Sequence, residues 1–145
     1  MVYLKHISLT LTLLMASLNC FSEDPKIVVV VNKNNPTIEM TRSQVIDLFM
    51  GRYVAFPNGT NAIPVDLKGD GKLKQEFYSS LVGMSLARVN SYWSRIKFTG
   101  RVKPSIKKSN QGETIRYISK KRNAIGYISK SHLNDNLKVI YTLNE

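Results

Sequence analysis

The sequence predicts an α/β domain whose mixed or mostly parallel sheet is flanked by helices. Three observations carry this expectation. Lys26 to Asn32 (KIVVVVN) is a continuous β-branched run. A strand without polar alternation is buried on both faces, as happens at the centre of a helix-covered sheet. Strand-like and helix-like segments then succeed one another as β-α-β-α-α-α-β-β, the pattern of a layered α/β unit. No internal repeat, low-complexity stretch or long Pro/Gly/Ser linker interrupts the chain, so one domain is expected over residues 23–145.

Ahead of it, residues 1–22 have the order of a secretory signal. Lys5 is their only formal charge, Ile7 to Met15 is apolar apart from Ser and Thr, and Cys20-Phe21-Ser22 precedes the acidic Glu23-Asp24. The apolar stretch is too short to cross a bilayer, which takes about 20 residues. Cys20 raises lipidation as an alternative. Asn19 and Ser17, however, stand where a lipoprotein signal carries a small and an aliphatic residue, so cleavage after Ser22 and a periplasmic location are expected. The mature domain then holds no cysteine, which excludes disulfides and Cys-based metal sites.

The elements follow in turn. Asn34-Asn35-Pro36 ends the first strand. Thr41 and Gln44 have capping-box form, and the helix behind them turns Val45, Ile46, Leu48 and Phe49 inward until Gly51 stops it. Pro57-Asn58-Gly59 is a turn, and Ile63 to Leu67 a short second strand. Gly69-Asp70-Gly71 leads, with Asp70 as the expected N-cap, into a helix carrying Leu73, Phe77 and Leu81 at i, i+4, i+8. Gly83 closes it and Ser85 caps the next. There Leu86, Val89, Trp93 and Ile96 form one apolar stripe, which places Trp93 in the core and leaves Arg88 and Arg95 solvated. Gly100 and Pro104 mark a loop before a helix near Gln111 to Lys121, with Ile115 and Ile118 inward. Ala124 to Ile128 is the third strand and Leu137 to Thr142 the fourth.

Charge is distributed unevenly. The chain carries a formal +11, but Arg95, Lys97, Arg101, Lys103, Lys107, Lys108, Arg116, Lys120, Lys121 and Arg122 are opposed, within their own segment, by Glu113 alone. The remainder is nearly neutral. Such a basic region attracts anions: phosphate, anionic lipid, acidic glycan, an acidic envelope protein or nucleic acid, the last ranking lowest for an exported chain.

Catalytic chemistry finds little support. His132, the only histidine beyond the signal, lies in the polar turn Ser131-His132-Leu133-Asn134, and Glu39 and Asp47 are too far apart to form an acid–base pair. No serine has nucleophile context and no cluster has metal-ligand spacing, so no enzyme, cofactor or metal is expected. Tyr53 and Phe56 beside Arg52 either form an aromatic–cation surface or cover the sheet edge.

Two passages resemble the phosphate-type substrate-binding proteins of ABC transporters. Asp47-Leu48-Phe49-Met50-Gly51-Arg52, with Phe56-Pro57-Asn58-Gly59 and Ile63-Pro64-Val65, is similar to one of their signature stretches, and Asn123-Ala124-Ile125-Gly126-Tyr127-Ile128 to another. Trp93 also falls where members often carry Trp. The resemblance runs from about Lys26 to Ile128. It implies one three-layer lobe of the type 2 periplasmic-binding-protein fold, the second of the two that such proteins close around a ligand.

The resemblance also locates a ligand loop. The family has an Arg followed two residues on by Asp-Gly-Ser-Gly-Thr; here the stretch is Lys68-Gly69-Asp70-Gly71-Lys72-Leu73-Lys74. Independently of the family, a glycine-flanked loop opening a helix presents N–H groups at the positive end of its dipole. Lys68, Lys72 and Lys74 add cations, though lysines lack the bidentate geometry of Arg. The sequence thus points to a non-enzymatic protein that binds phosphate or another oxyanion weakly, alone or as a homodimer that rebuilds a cleft. The alternative is an interaction module whose basic region docks an acidic envelope partner.

Overall fold

The computed structural model describes residues 26–143; the signal-like segment and Cys20 lie outside them. Five strands, β1 (Ile27–Asn32), β2 (Ile63–Leu67), β3 (Ile106–Lys108), β4 (Ala124–Ser129) and β5 (Leu137–Thr142), form one sheet in the order β3-β2-β4-β1-β5. β2 pairs in parallel with β3 and β4, whereas β1 pairs antiparallel with β4 and β5. The sheet is therefore mixed, with β1 running against the other four strands.

β1 is buried along its whole length, and its side chains alternate between two cores, as the two-residue period of a strand requires. Val29 and Val31 join Val45, Leu48, Phe49, Phe77, Leu81 and Val89 from helices α1 (Arg42–Phe49), α2 (Lys72–Val82) and α3 (Leu86–Phe98). Val28 and Val30 join Val65, Ala124, Ile128 and Ile118, the last from helix α4 (Gln111–Lys120). The result is three layers: three helices, the sheet, one helix.

The helices begin where local chemistry satisfies their free N–H groups. At α1 the Thr41 hydroxyl accepts from the Gln44 N–H while the Gln44 side chain accepts from the Thr41 N–H at 2.8 Å, the expected capping box. Ser85 caps α3 and Asn110 caps α4. The expectation for α2 needs correction. Its N-cap is Gly71, which offers no side chain, so Asp70 stands one residue outside the helix.

β3 is a second correction, because residues 101–110 read as loop in the sequence. Ile106 is its only apolar residue, and lysines flanking a short edge strand hide the usual β signal while protecting the edge. Gly126 permits close packing of β4 on α4: a Cβ there would lie 2.9 Å from Ile118 Cδ1 and 3.1 Å from Thr114 Cγ2.

Candidate anion-binding cleft

β2 ends on Asp66-Leu67, and the chain turns through Lys68 and Gly69, whose φ of +72° is left-handed and favours glycine, into α2. Asp66 is only 2% exposed. A buried carboxylate is costly unless it is paired and hydrogen-bonded, and this one is surrounded by donors. Oδ1 accepts from the Tyr127 hydroxyl at 2.5 Å and the Leu67 N–H at 2.8 Å. Oδ2 accepts from the Tyr78 hydroxyl at 2.9 Å and Lys107 Nζ at 2.7 Å, with Lys74 Nζ 3.6 Å away. Burial alone would raise the Asp66 pKa, but the Lys107 charge and hydrogen bond, the Tyr127 hydroxyl and the Lys74 charge outweigh it and hold the carboxyl below its ordinary value. Burial, followed by the Asp66 charge and hydrogen bonds, pushes the phenols of Tyr78 and Tyr127 well up.

Tyr127 is held in place by aromatic packing. Its ring stacks on Phe77 with centroids 3.8 Å apart, and Phe49 meets both rings edge-on. The apolar core thus aims a hydroxyl from β4 at a carboxylate on β2.

Next to this hub lies a cleft of about 330 Å³ bordered by Asp66, Gly69, Asp70, Lys74, Asn90, Trp93, Ser94, Lys97, Ser105 and Lys107. Of the loop residues expected to bind an anion, Gly69, Asp70 and Lys74 border it directly. Lys68, Gly71 and Lys72 are exposed but do not border it; Lys72 lines a separate pocket with Leu73, Glu76 and Lys130. Lys72 Nζ lies 3.7 Å from Glu76, an exposed pair at i, i+4. Lys74 departs from expectation: it is 6% exposed, and its ammonium donates to the Leu67 carbonyl at 2.9 Å and faces Asp66. Its spacing on α2 puts it on the inner face, so its charge is spent inside the fold. Trp93 is partly buried against the core, and its indole N–H has no hydrogen-bond partner among the described residues.

This fold superposes on solved structures. An ABC-type phosphate transport receptor from Vibrio cholerae superposes with a TM-score of 0.63 at 16% identity, covering 79% of this chain and 45% of that one. A phosphate ABC transporter substrate-binding protein with bound phosphate, from Clostridium perfringens, gives 0.64 at 19%, covering 79% and 44%. PstS from Borrelia burgdorferi gives 0.57 at 12%, covering 79% and 46%. The fold is that of the phosphate-type substrate-binding receptors. The chain spans less than half the length of these receptors. No protein-family model and no curated protein matches its sequence.

On this receptor fold the basic segment does not form one face. Arg95 and Lys97 are on α3, on one side of the sheet; Arg116 and Lys120 are on α4, on the other; Lys107 and Lys108 are on β3, at the edge between them. The cations wrap an edge. Some are also engaged within the fold: Lys107 on Asp66, Lys108 over the Tyr117 ring at 4.5 Å, and Arg122 Nε on the Asn34 carbonyl at 2.9 Å. Glu113, the single acid, is held below its ordinary pKa, chiefly by the Ser109 N–H. Phe56 is buried and Tyr53 exposed, so the two do not form a joint surface. His132 is exposed in a short 3₁₀ turn.

The Asp66 hub itself was not legible as a site. Its one sequence signal is an acid inside an otherwise apolar strand, Ile63-Pro64-Val65-Asp66-Leu67. Its side-chain partners lie 8, 12, 41 and 61 residues away along the chain, too scattered for any local pattern.

Proposed function

We propose that this chain is a non-enzymatic solute-binding lobe that holds phosphate or another oxyanion weakly at the loop of Lys68, Gly69, Asp70, Gly71 and Lys72. The observation that carries this is the uncapped start of α2: Gly71 supplies no side chain, so no side chain takes the first-turn N–H groups, and Gly69 and Asp70 just ahead of them border the cleft. The receptor fold and the phosphate handled by its structural neighbours support the same ligand class. Lys97 borders the cleft and supplies a cation there. Lys74 acts indirectly, by fixing Asp66 and the end of β2. Asp70 places a negative charge at the cleft border and opposes an anion.

Affinity is expected to be low, with a Kd on the order of 0.1 mM or weaker, about −5.5 kcal/mol. An open cleft leaves much of the anion hydrated, and lysines direct their hydrogen bonds loosely. Calorimetric titration with phosphate and sulfate at low salt tests this. Lys72→Ala and Lys97→Ala should each weaken binding roughly tenfold, the loss of one charge-assisted contact, while Asp70→Asn should strengthen it. Absence of saturable binding at millimolar anion would overturn the reading. It would leave the second one, an interaction module docking an acidic envelope partner, which the concentration of cations around the β3 edge favours.

A further inference from the structure

Helix α3 has two faces of different character. Leu86 and Val89 are buried, whereas Arg88, Ser91, Arg95 and Phe98, at 3-4-3 spacing, all face solvent. This outer face ends on Phe98, which is 94% exposed. Exposed Arg101 and Lys103 follow in the loop after Gly100. Between Glu76 and Glu113 the chain holds no acidic residue at all. Among the described residues no carboxylate pairs with Arg88, Arg95, Arg101 or Lys103. Cations in a last helical turn are favoured by the helix dipole, which accounts for Arg95. It does not account for a bare phenyl ring beside it.

We infer that the end of α3 is a membrane-docking tip: Phe98 enters the headgroup boundary of an anionic bilayer while Arg95, Arg101 and Lys103 engage lipid phosphates around it. A single apolar side chain ringed by cations has the chemistry of interfacial anchoring, in which apolar insertion and attraction to anionic lipid add. A protein partner would need a pocket matched to Phe98. A bilayer needs only negative charge and yielding packing, and accepts the tip at any rotation. None of these four residues borders the anion cleft, so docking leaves that cleft free.

Vesicle sedimentation of the exported form tests the inference, with phosphatidylglycerol–phosphatidylcholine vesicles set against pure phosphatidylcholine. Wild type should bind only the anionic vesicles. Phe98→Ser should lower partitioning about tenfold, as expected for losing much of one aromatic insertion, and Phe98→Leu should retain it. The triple change Arg95→Gln, Arg101→Gln, Lys103→Gln should lower partitioning about a hundredfold and flatten its salt dependence. Both Phe98 variants should melt with wild type, and Phe98→Ser should titrate phosphate unchanged, which separates this inference from the cleft reading. No binding to anionic vesicles, equal binding by Phe98→Ser, or a lowered melt for that variant would each overturn it. So would stronger, Phe98-independent retention on heparin or on an acidic protein, which would identify a glycan or protein partner.

Discussion

Asp66 meets two opposed demands: burial, which disfavours its charge, and two ammonium groups with two phenols, which need that charge as their acceptor. The pairing prevails, so the folded carboxyl titrates below the unfolded one. Its stabilising contribution is therefore complete above about pH 4, the unfolded value, and is lost as pH falls through the depressed folded value. Asp66→Asn should cost about 3 kcal/mol at pH 7, because Lys74 is left buried without its counter-charge. The gap from wild type should narrow below pH 4, as urea unfolding across pH would record. The phenols of Tyr78 and Tyr127, with pKa values pushed up, should stay protonated while exposed tyrosines ionise. A spectrophotometric titration should then release their absorbance only with alkaline unfolding, and their early ionisation would contradict the hub.

At the scale of elements, local signals were readable and long-range ones were not. KIVVVVN and the Thr41–Gln44 box stand in the structure as in the sequence, and so does the first half of the α3 stripe, Leu86 and Val89, whereas Trp93 and Ile96 are only partly buried; each local signal depends on neighbours within a few residues. β3 was hidden because two of its three residues are lysines and its pairing comes from β2, about 40 residues earlier. The α2 loop was placed correctly, but its cap was off by one and its Lys74 turned inward, since the face of a helix is fixed by what it packs on. Close packing between elements is testable at Gly126. Gly126→Ala drives a Cβ into the Ile118 and Thr114 side chains and should destabilise by about 1–3 kcal/mol in thermal or chemical unfolding. An unchanged stability would mean that α4 sits further from β4 than described.

For the molecule as a whole, the layered fold was legible from alternating elements and two short motifs, and the family resemblance named it. The anion site was legible only as a loop. The cleft beside it draws on β2, α2, α3 and the segment leading into β3, a convergence no linear pattern records. The claim that an oxyanion binds at the start of α2 is tested most directly by following backbone amide resonances through a phosphate titration at low salt. Saturable shifts should centre on Gly69, Asp70, Gly71, Lys72 and Leu73, with smaller ones at Lys97, while the amides of α4 stay fixed. Shifts absent at millimolar phosphate, or largest around Arg116 and Lys120 on the opposite side of the sheet, would contradict it.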